Sequence, residues 1–254
     1  MIGRISAHRR RLGGGASLPH WQLRWCPVCA STEQELDRWL ATPDTPERLQ
    51  RPRVVLAARQ RFGHGQRGRV WLSPAGGVWL SAALPWPGPP LQVASPGLAA
   101  AVALARELDG LGLPVRLKWP NDLLLLDGAG PPLKLAGLLP RLRQRGSTVR
   151  WARLGLGLNG CNRVPAGATA LAGRIGPLLA RPERLAPLVL RSLEVAMALA
   201  GQRELVRRAA EALLWLPSEP VAYRSKLWQP LGLDGSGGLR LADGTRTTVL
   251  ERDF

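Results

Sequence analysis

The sequence predicts an α+β fold: a mixed or antiparallel sheet carrying helices over residues 20–217, with a small β unit over 218–254. Three observations predict it. Short aliphatic runs of strand length recur along the first two thirds, each bounded by Gly, Pro, Asn or Asp. Two stretches beyond Pro182 have apolar residues at helical spacing. The order of the elements suggests an antiparallel or mixed sheet.

In chain order, residues 1–19 are basic and glycine-rich and are expected to be disordered. Residues 21–29 suit a strand, and Ser31-Thr32-Glu33 supplies a cap for a helix carrying Leu36, Trp39 and Leu40. Residues 53–58 form the next strand. The loop behind it, 60–71, holds Gly63, Gly65 and Gly68 among cations and is expected to be flexible and anion-seeking, outside regular structure. Residues 78–84 return as a strand, and Ser95-Pro96 opens a helix running to Leu108. Residues 115–119 and 123–126 read as strands around a Pro120-Asn121-Asp122 turn. Beyond the loop at 127–132, two more strands cover 133–139 and 148–158. Helices are expected at 182–200 and 202–216, stopped by Pro217. Asp234-Gly235 and Asp243-Gly244 mark hairpin turns in the C-terminal unit. Trp25, Trp39, Trp79 and Trp215 stand at apolar positions expected to be core.

Lys plus Arg is 35 against 18 for Asp plus Glu, a formal charge of +17, which alone points to nucleic acid or an anionic membrane. Only three of those basic residues are lysines, Lys118, Lys134 and Lys226, and the arginine excess runs through the whole chain. It therefore reads as a drift of composition, not a binding face. Residues 70–105 carry no charge, but Pro74, Pro85, Pro87, Pro89, Pro90 and Pro96 interrupt them and exclude a membrane span. The N-terminus lacks the apolar core of a signal peptide. Three cysteines would leave one over from any pairing, so a reducing cytoplasm is expected. Cys26 and Cys29 make half a zinc site without a second pair.

Four segments combine residues that packing alone would not select: 60–71, 118–122, 134–139 and 155–159. Two of the three lysines and two of the three asparagines fall inside them. In a chain where arginine has replaced most other lysines, Lys118 and Lys134 stand out, because a guanidinium fork does not substitute for a compact ammonium at a tight site. Plainer readings exist for each: a solvated cationic loop, ordinary turn chemistry in Pro-Asn-Asp, a buried glycine-rich strand at 155–159.

Together the segments resemble the catalytic domain of biotin-protein ligases, also called biotin-[acetyl-CoA-carboxylase] ligases. That family carries a Gly-Arg-Gly-Arg-x-Gly-Arg-x-Trp loop, then Lys-Trp-Pro-Asn-Asp, Lys-x-x-Gly-Ile-Leu-x-Glu and Gly-x-Gly-x-Asn. Here 118–122 matches fully, and order and spacing match elsewhere, over roughly residues 31–159. The resemblance implies a class II synthetase-like domain with a reduced, SH3-like β appendage. It implies a two-step reaction using biotin, ATP and Mg²⁺: biotinyl-adenylate forms, and a lysine of a biotin carboxyl carrier protein then attacks it. By resemblance Ser31, Thr32, Gln60, Gly63, His64, Gly65, Gln66, Lys134 and Gly137 surround biotin. Arg67, Arg69, Trp71, Asn121 and Asn159 lie on the nucleotide side, with Trp71 able to stack on adenine. Lys134, Lys118 and Asp122 are the catalytic candidates, Asp122 also for Mg²⁺.

His64 and Gln66 replace the first two loop arginines, Glu33 the usual asparagine after Ser-Thr, and Pro140-Arg141 removes a glutamate. Charge-assisted hydrogen bonds contribute roughly 1.5 to 3 kcal/mol each, so a ligase holding its adenylate loosely is expected. His64 is a candidate to take over part of the arginine's role. The alternatives are a lipoate or octanoate ligase on the same fold, a degenerate non-catalytic binding protein, and a nucleic-acid binder. The intact Lys-Trp-Pro-Asn-Asp favours biotin. With 30 residues before Ser31, too few for a winged-helix domain, no specific DNA binding is expected, and the protein is expected as a monomer or homodimer.

Overall fold

Strand periodicity decides what each face of the main sheet is made of. The computed structural model describes residues 20–251 apart from 127, 129 and 245. The segment 1–19, expected to be disordered, lies outside the described residues. Seven strands, β1 (Gln22–Cys29), β2 (Arg53–Gln60), β3 (Val78–Leu84), β4 (Val115–Lys118), β5 (Asp122–Leu125), β6 (Leu133–Arg145) and β7 (Thr148–Leu158), form one sheet. Its order is β1-β2-β3-β7-β6-β5-β4. β1 and β2 run parallel, joined across α1 (Thr32–Leu40), and the remaining neighbours are antiparallel, so the sheet is mixed.

Alternate residues of the middle strands point one way into the core: Val54 and Leu56, then Val78, Leu80, Ala82 and Leu84, then Ala152, Leu154, Leu156 and Leu158. Against them lie α2 (Pro96–Asp109) and, packed on α2, α4 (Pro182–Ala198) and α5 (Arg203–Ala212); a short α3 (Ala172–Ile175) precedes these two. The uncharged stretch that superficially suggested a membrane contains β3 and most of α2, both buried in this core. No described helix is long and apolar enough to cross a membrane. The opposite face carries a smaller cluster in which Leu36 of α1 meets Val55, Ala83 and Trp151. Ser31 caps α1 by accepting from the Glu33 N–H at 3.2 Å, which fixes the helix over this second face.

Several expectations are corrected. β6 continues past Leu139 through Pro140 to Arg145. The proline is tolerated because β5 pairs with β6 only as far as Gly137, leaving that side of β6 an edge. The helices stop at Ala198 and Ala212, short of 200 and 216. Residues 213–215 instead run beside β4, where Leu117 donates to the Leu213 carbonyl and Trp215 donates to that of Leu117, both at 2.8 Å. Of the four tryptophans expected in the core, Trp79 is buried, whereas Trp25, Trp39 and Trp215 are half-buried. The Trp39 ring carries the Arg24 guanidinium 4.0 Å above it.

The C-terminal unit is an open antiparallel sheet, β11-β10-β9-β8, of β8 (Val221–Tyr223), β9 (Lys226–Leu233), β10 (Leu239–Asp243) and β11 (Arg246–Leu250). Among the described residues β8 and β11 are not paired, so no barrel closes. Trp228, Leu239 and Leu241 form its core, and Trp119 ties it to the main domain by donating to the Gly237 carbonyl at 3.0 Å. A turn that the sequence does not announce joins β8 to β9 through Arg224 and Ser225, both at positive φ.

Candidate functional site

The 60–73 segment is folded, contrary to the expectation of an irregular flexible loop. Gln60 donates from its backbone to the Ser73 carbonyl at 3.1 Å, Trp71 to Gly63 at 2.9 Å and Gly65 to Arg69 at 2.7 Å, with a 3₁₀ turn (Gln66–Gly68) at the tip. Gly63 is required by close approach: a Cβ there would collide with the Trp71 carbonyl and lie 2.7 Å from Ser73 Oγ. The hairpin thereby lays Trp71 on the sheet.

The face it lies on is prepared by period two. Residues paired directly across β3, β7, β6, β5 and β4 make a row of Trp79, Gly157, Gly137, Asp122 and Lys118. The Trp71 indole covers the two glycines; an added Cβ at Gly157 would sit 2.5 Å from Trp71 Nε1, and one at Gly137 2.8 Å from its Cζ3. The Trp79 ring meets Trp71 edge-on, centroids 6.4 Å apart. A second row, Ser81, Gly155 and Leu139, lies beside it. The glycine-rich strand reading of 155–159 therefore describes the backbone correctly, and its bare face is also the floor of a cleft.

Lys134 reaches this face through a bulge. Lys134 and Gly137 are an odd number of residues apart and would face opposite sides in a regular strand. The β5–β6 register shifts by one residue, Leu123 opposing Ala136 while Leu124 opposes Lys134, and the extra Leu135 goes into the core. The shift re-aims the lysine. Its Nζ lies 2.7 Å from Asp122 Oδ2 and 4.9 Å from the Trp71 ring centre.

At the other end the polar groups are mostly paired among themselves. The Thr32 backbone N–H and hydroxyl donate to Gln60 Oε1 at 2.7 and 2.9 Å, the Thr32 and Ser81 hydroxyls are 2.8 Å apart, and Gln60 Nε2 donates to Ser73 Oγ at 2.8 Å. His64 Nδ1 is 3.4 Å from Ser31 Oγ. Sequence reasoning noted Glu33 only as a departure from the family's pattern and missed its partner Arg153, Ser73 and Ser81; the last is a lone polar residue at a site-face position of β3, which is the signal that could have found it.

One cleft of about 770 Å³, counting its open mouth, brings together Ser31, Thr32, Gln60, His64, Gly65, Gln66, Arg69, Trp71, Asn121, Asp122, Lys134 and Gly137 from the expected set. Asn121 is locked to β6, its amide donating to the Leu138 carbonyl at 2.7 Å. Four other expected residues do not line it. Lys118 is exposed at the outer end of the first row with its Nζ 5.8 Å from the Trp215 ring. Arg67 stands at the loop tip with φ 55° and lines the neighbouring groove. Gly63 lies under the hairpin, and Asn159 is buried, its side-chain oxygen accepting from the Asn162 amide at 3.1 Å.

The cleft's lining holds four buried polar atoms without a protein partner: Glu33 Oε1, Gln66 Nε2, Trp71 Nε1 and Asp122 Oδ1. Unpaired buried groups are costly, and their clustering marks a place for a ligand. Among the described residues no group of three or more His, Cys, Asp or Glu is placed to hold a metal. Burial pushes the Cys29 thiol up to about 11, with Cys26 and Glu35 adding to the shift.

The family profile described as Biotin/lipoate A/B protein ligase family matches residues 27–159. The bifunctional ligase/repressor BirA of Bacillus subtilis is 32% identical over 160 residues, covering 62% of this chain and 46% of its own length. The biotin–[acetyl-CoA-carboxylase] ligase of Paracoccus denitrificans is 38% identical over 120 residues, covering 45% and 47%. The chain thus aligns with about half the length of these curated relatives. A solved biotin protein ligase from Aquifex aeolicus, in complex with biotin and ATP, superposes with a TM-score of 0.68 at 22% identity, covering 90% of this chain and 95% of that one. A mixed sheet with one aliphatic and one bare, polar face, bearing the matched motifs around a shared cleft, is accounted for by this kinship: the chain belongs to the biotin/lipoate A/B protein ligase family.

Proposed function

We propose that the protein is an ATP-dependent biotin–protein ligase. In the first step a biotin carboxylate oxygen attacks the α-phosphorus of ATP, giving biotinyl-5′-adenylate and pyrophosphate. In the second, a lysine amine of a biotin carboxyl carrier protein attacks the acyl carbon and AMP leaves. The observation that carries this reading is the polarity of the cleft. Neutral hydroxyl and amide groups of Thr32, Gln60 and Ser81 cluster in one part of the cleft, and in another an ammonium sits against Trp71, 2.7 Å from a carboxylate that an incoming anion would displace.

Two anions must meet in the first step, so neutralisation at their meeting point lowers the barrier. Lys134 is the group for it, with Arg69 and Arg67 on the hairpin facing the phosphates. Trp71 and Asn121 serve the nucleotide side, whereas Asn159 acts there by shaping the turn after β7. Asp122 Oδ1, buried and unpaired, fits a Mg²⁺ ion that arrives with phosphate oxygens and needs only one or two carboxylates; bound there, the ion would neutralise phosphate charge. Lys118, exposed beside Trp215, is positioned to meet the incoming amine's protein. The enzyme would act in the cytoplasm, as monomer or homodimer.

The test is transfer of labelled biotin from ATP-dependent turnover to a carrier domain, with trapping of the acyl-adenylate. Formation of biotinyl-adenylate and its loss on Lys134→Ala support the reading. Preference for a dithiolane or octanoyl acid overturns it in favour of lipoyl chemistry, and no adenylate with any acid overturns it altogether.

A further inference from the structure

Among the described residues, the buried side-chain nitrogens and oxygens without a protein partner fall in two places. Four line the cleft, and the remaining two, Trp151 Nε1 and Arg153 Nε, belong to the lining of a separate pocket of about 560 Å³, counting its open mouth. This second pocket lies between the ends of β6 and β7 and the end of α1 at Leu40 and Ala41, and shares no residue with the cleft's lining. The cleft's unpaired atoms include both donors and acceptors, whereas this pair consists of donors alone. Their surroundings are cationic. Trp151 is 4% exposed, and the Arg150 guanidinium lies 4.4 Å from the centre of its ring. Arg143 is its direct partner across the β6–β7 ladder and lines the same pocket. Cross-strand partners lie about 5 Å apart, and residues two apart on one strand, as Trp151 and Arg153 are, about 7 Å, so these donors can converge on one group. Among the described residues no carboxylate pairs with Arg143 or Arg150; Arg150 Nε donates to the Glu47 carbonyl at 2.8 Å, while the Glu47 carboxylate is held by Arg145. The acid in the lining, Asp37, is bound by Arg153. The carbonyls at the end of α1 are also engaged, that of Asp37 by the Ala41 N–H and that of Trp39 by the Thr42 N–H.

We propose that this pocket binds a phosphate group, as the free ion or as pyrophosphate. Buried N–H groups left unpaired among arginines call for an acceptor that carries negative charge. A carboxylate offers two oxygens and one charge, whereas a phosphate group offers at least three oxygens and roughly 1.5 to 2 negative charges at neutral pH. The larger number matches an indole N–H, the Arg153 Nε and two further guanidinium groups. Trp151 and Arg153 supply the buried donors that set orientation, and Arg143 and Arg150 supply neutralising charge and forked contacts from the open side. Lys134 takes no part in this pocket, so binding here is independent of the chemistry proposed for the cleft.

The experiment follows the indole N–H resonance of Trp151 in the isotope-labelled full chain, assigned through its bonds to the backbone, while phosphate, pyrophosphate or acetate is added at constant ionic strength. Phosphate should move this resonance along a saturating curve, and acetate should bind at least about tenfold more weakly. Arg143→Gln and Arg150→Gln should each weaken phosphate binding about tenfold, the loss of one charge-assisted hydrogen bond, and Lys134→Ala should leave it within about twofold. Tighter binding of pyrophosphate identifies that ion as the occupant, and equal or weaker binding identifies the single phosphate. The absence of a saturating shift, a shift that acetate matches, or wild-type affinity in both arginine variants overturns the proposal. A response that disappears with Lys134→Ala also overturns it, because the anion is then held in the cleft. Arg143 is exposed, so its variant decides alone should Arg150→Gln fail to fold.

Discussion

The strands at the centre of the main sheet are built from the same residues in sequence yet carry two unlike faces. Toward α2, β3 and β7 present Leu80, Ala82, Leu154 and Leu156. One residue over, on the reverse side, they present Trp79, Ser81, Gly155 and Gly157. The first face is filled to close packing and has no room for anything else. The second is stripped to backbone wherever Trp71 or the Glu33 carboxylate must approach. Stability and binding are therefore assigned to alternate positions of one strand, and substitutions on the two faces should fail in different ways.

The largest separation is expected from Lys134→Ala. Adenylate formation should fall about 10²-fold or more, the scale of removing one charge-stabilising group, while the thermal midpoint stays near that of wild type. A comparable loss of Tm would show that the lysine belongs to the core and break the contrast. Leu154→Ala tests the other face: a loss of about 2–5 kcal/mol in denaturant titration, with KM for biotin unchanged in the protein that remains folded. Gly157→Ala lies between them. Its Cβ would meet Trp71 Nε1 at 2.5 Å, so Trp71 must move off the sheet. We expect about 1–3 kcal/mol, seen as raised KM for both substrates and a shifted tryptophan emission. If emission and KM hold while stability falls, Trp71 is a structural lid and not part of the cleft.

The smallest effect is expected away from both faces, in the loop between β9 and β10. Burial opposes ionisation of Asp234, but bonds from Ser236 and from the backbone of Gly238, Ser236 and Gly237 outweigh it and hold its carboxyl below the ordinary range. A depressed carboxylate contributes stability that is complete above its unfolded pKa, about 3.9, and is lost as pH falls through the folded value. Asp234→Ala should cost about 1 kcal/mol at pH 7 in thermal melts. The difference from wild type should shrink below pH 4 and leave ligand binding untouched; growth toward acid pH would contradict the sign.

Much of this architecture is legible in the sequence. The bounds of β3 follow from the run at 78–84, and Ser31 and Ser95 announce their helices through cap chemistry. The cleft residues can be collected because their motifs are local. What stays hidden depends on partners. Arg153 has no motif of its own and is recognisable only from the alternation it shares with Gly155 and Gly157 and from Glu33 opposite it. The hairpin's order comes from bonds between residues four to thirteen apart, which glycine content alone misstates as freedom. Arg224 and Ser225 adopt positive φ without glycine, so nothing in their identity signals the turn.

The bulge at Leu135 gives this site a dependence on arithmetic as well as on chemistry. Lys134 and Gly137 share a side of the sheet because the odd count between them is matched by one irregular step in the ladder. Straightening that step without changing the count would carry either the lysine into the interior or Gly137 away from Trp71. The core seat of Leu135 holds the step in place, so an aliphatic residue that meets no ligand governs where the ammonium points. The count and the irregularity are thus parts of the site, and a sequence can keep every functional side chain and still lose the cleft when the two fall out of step.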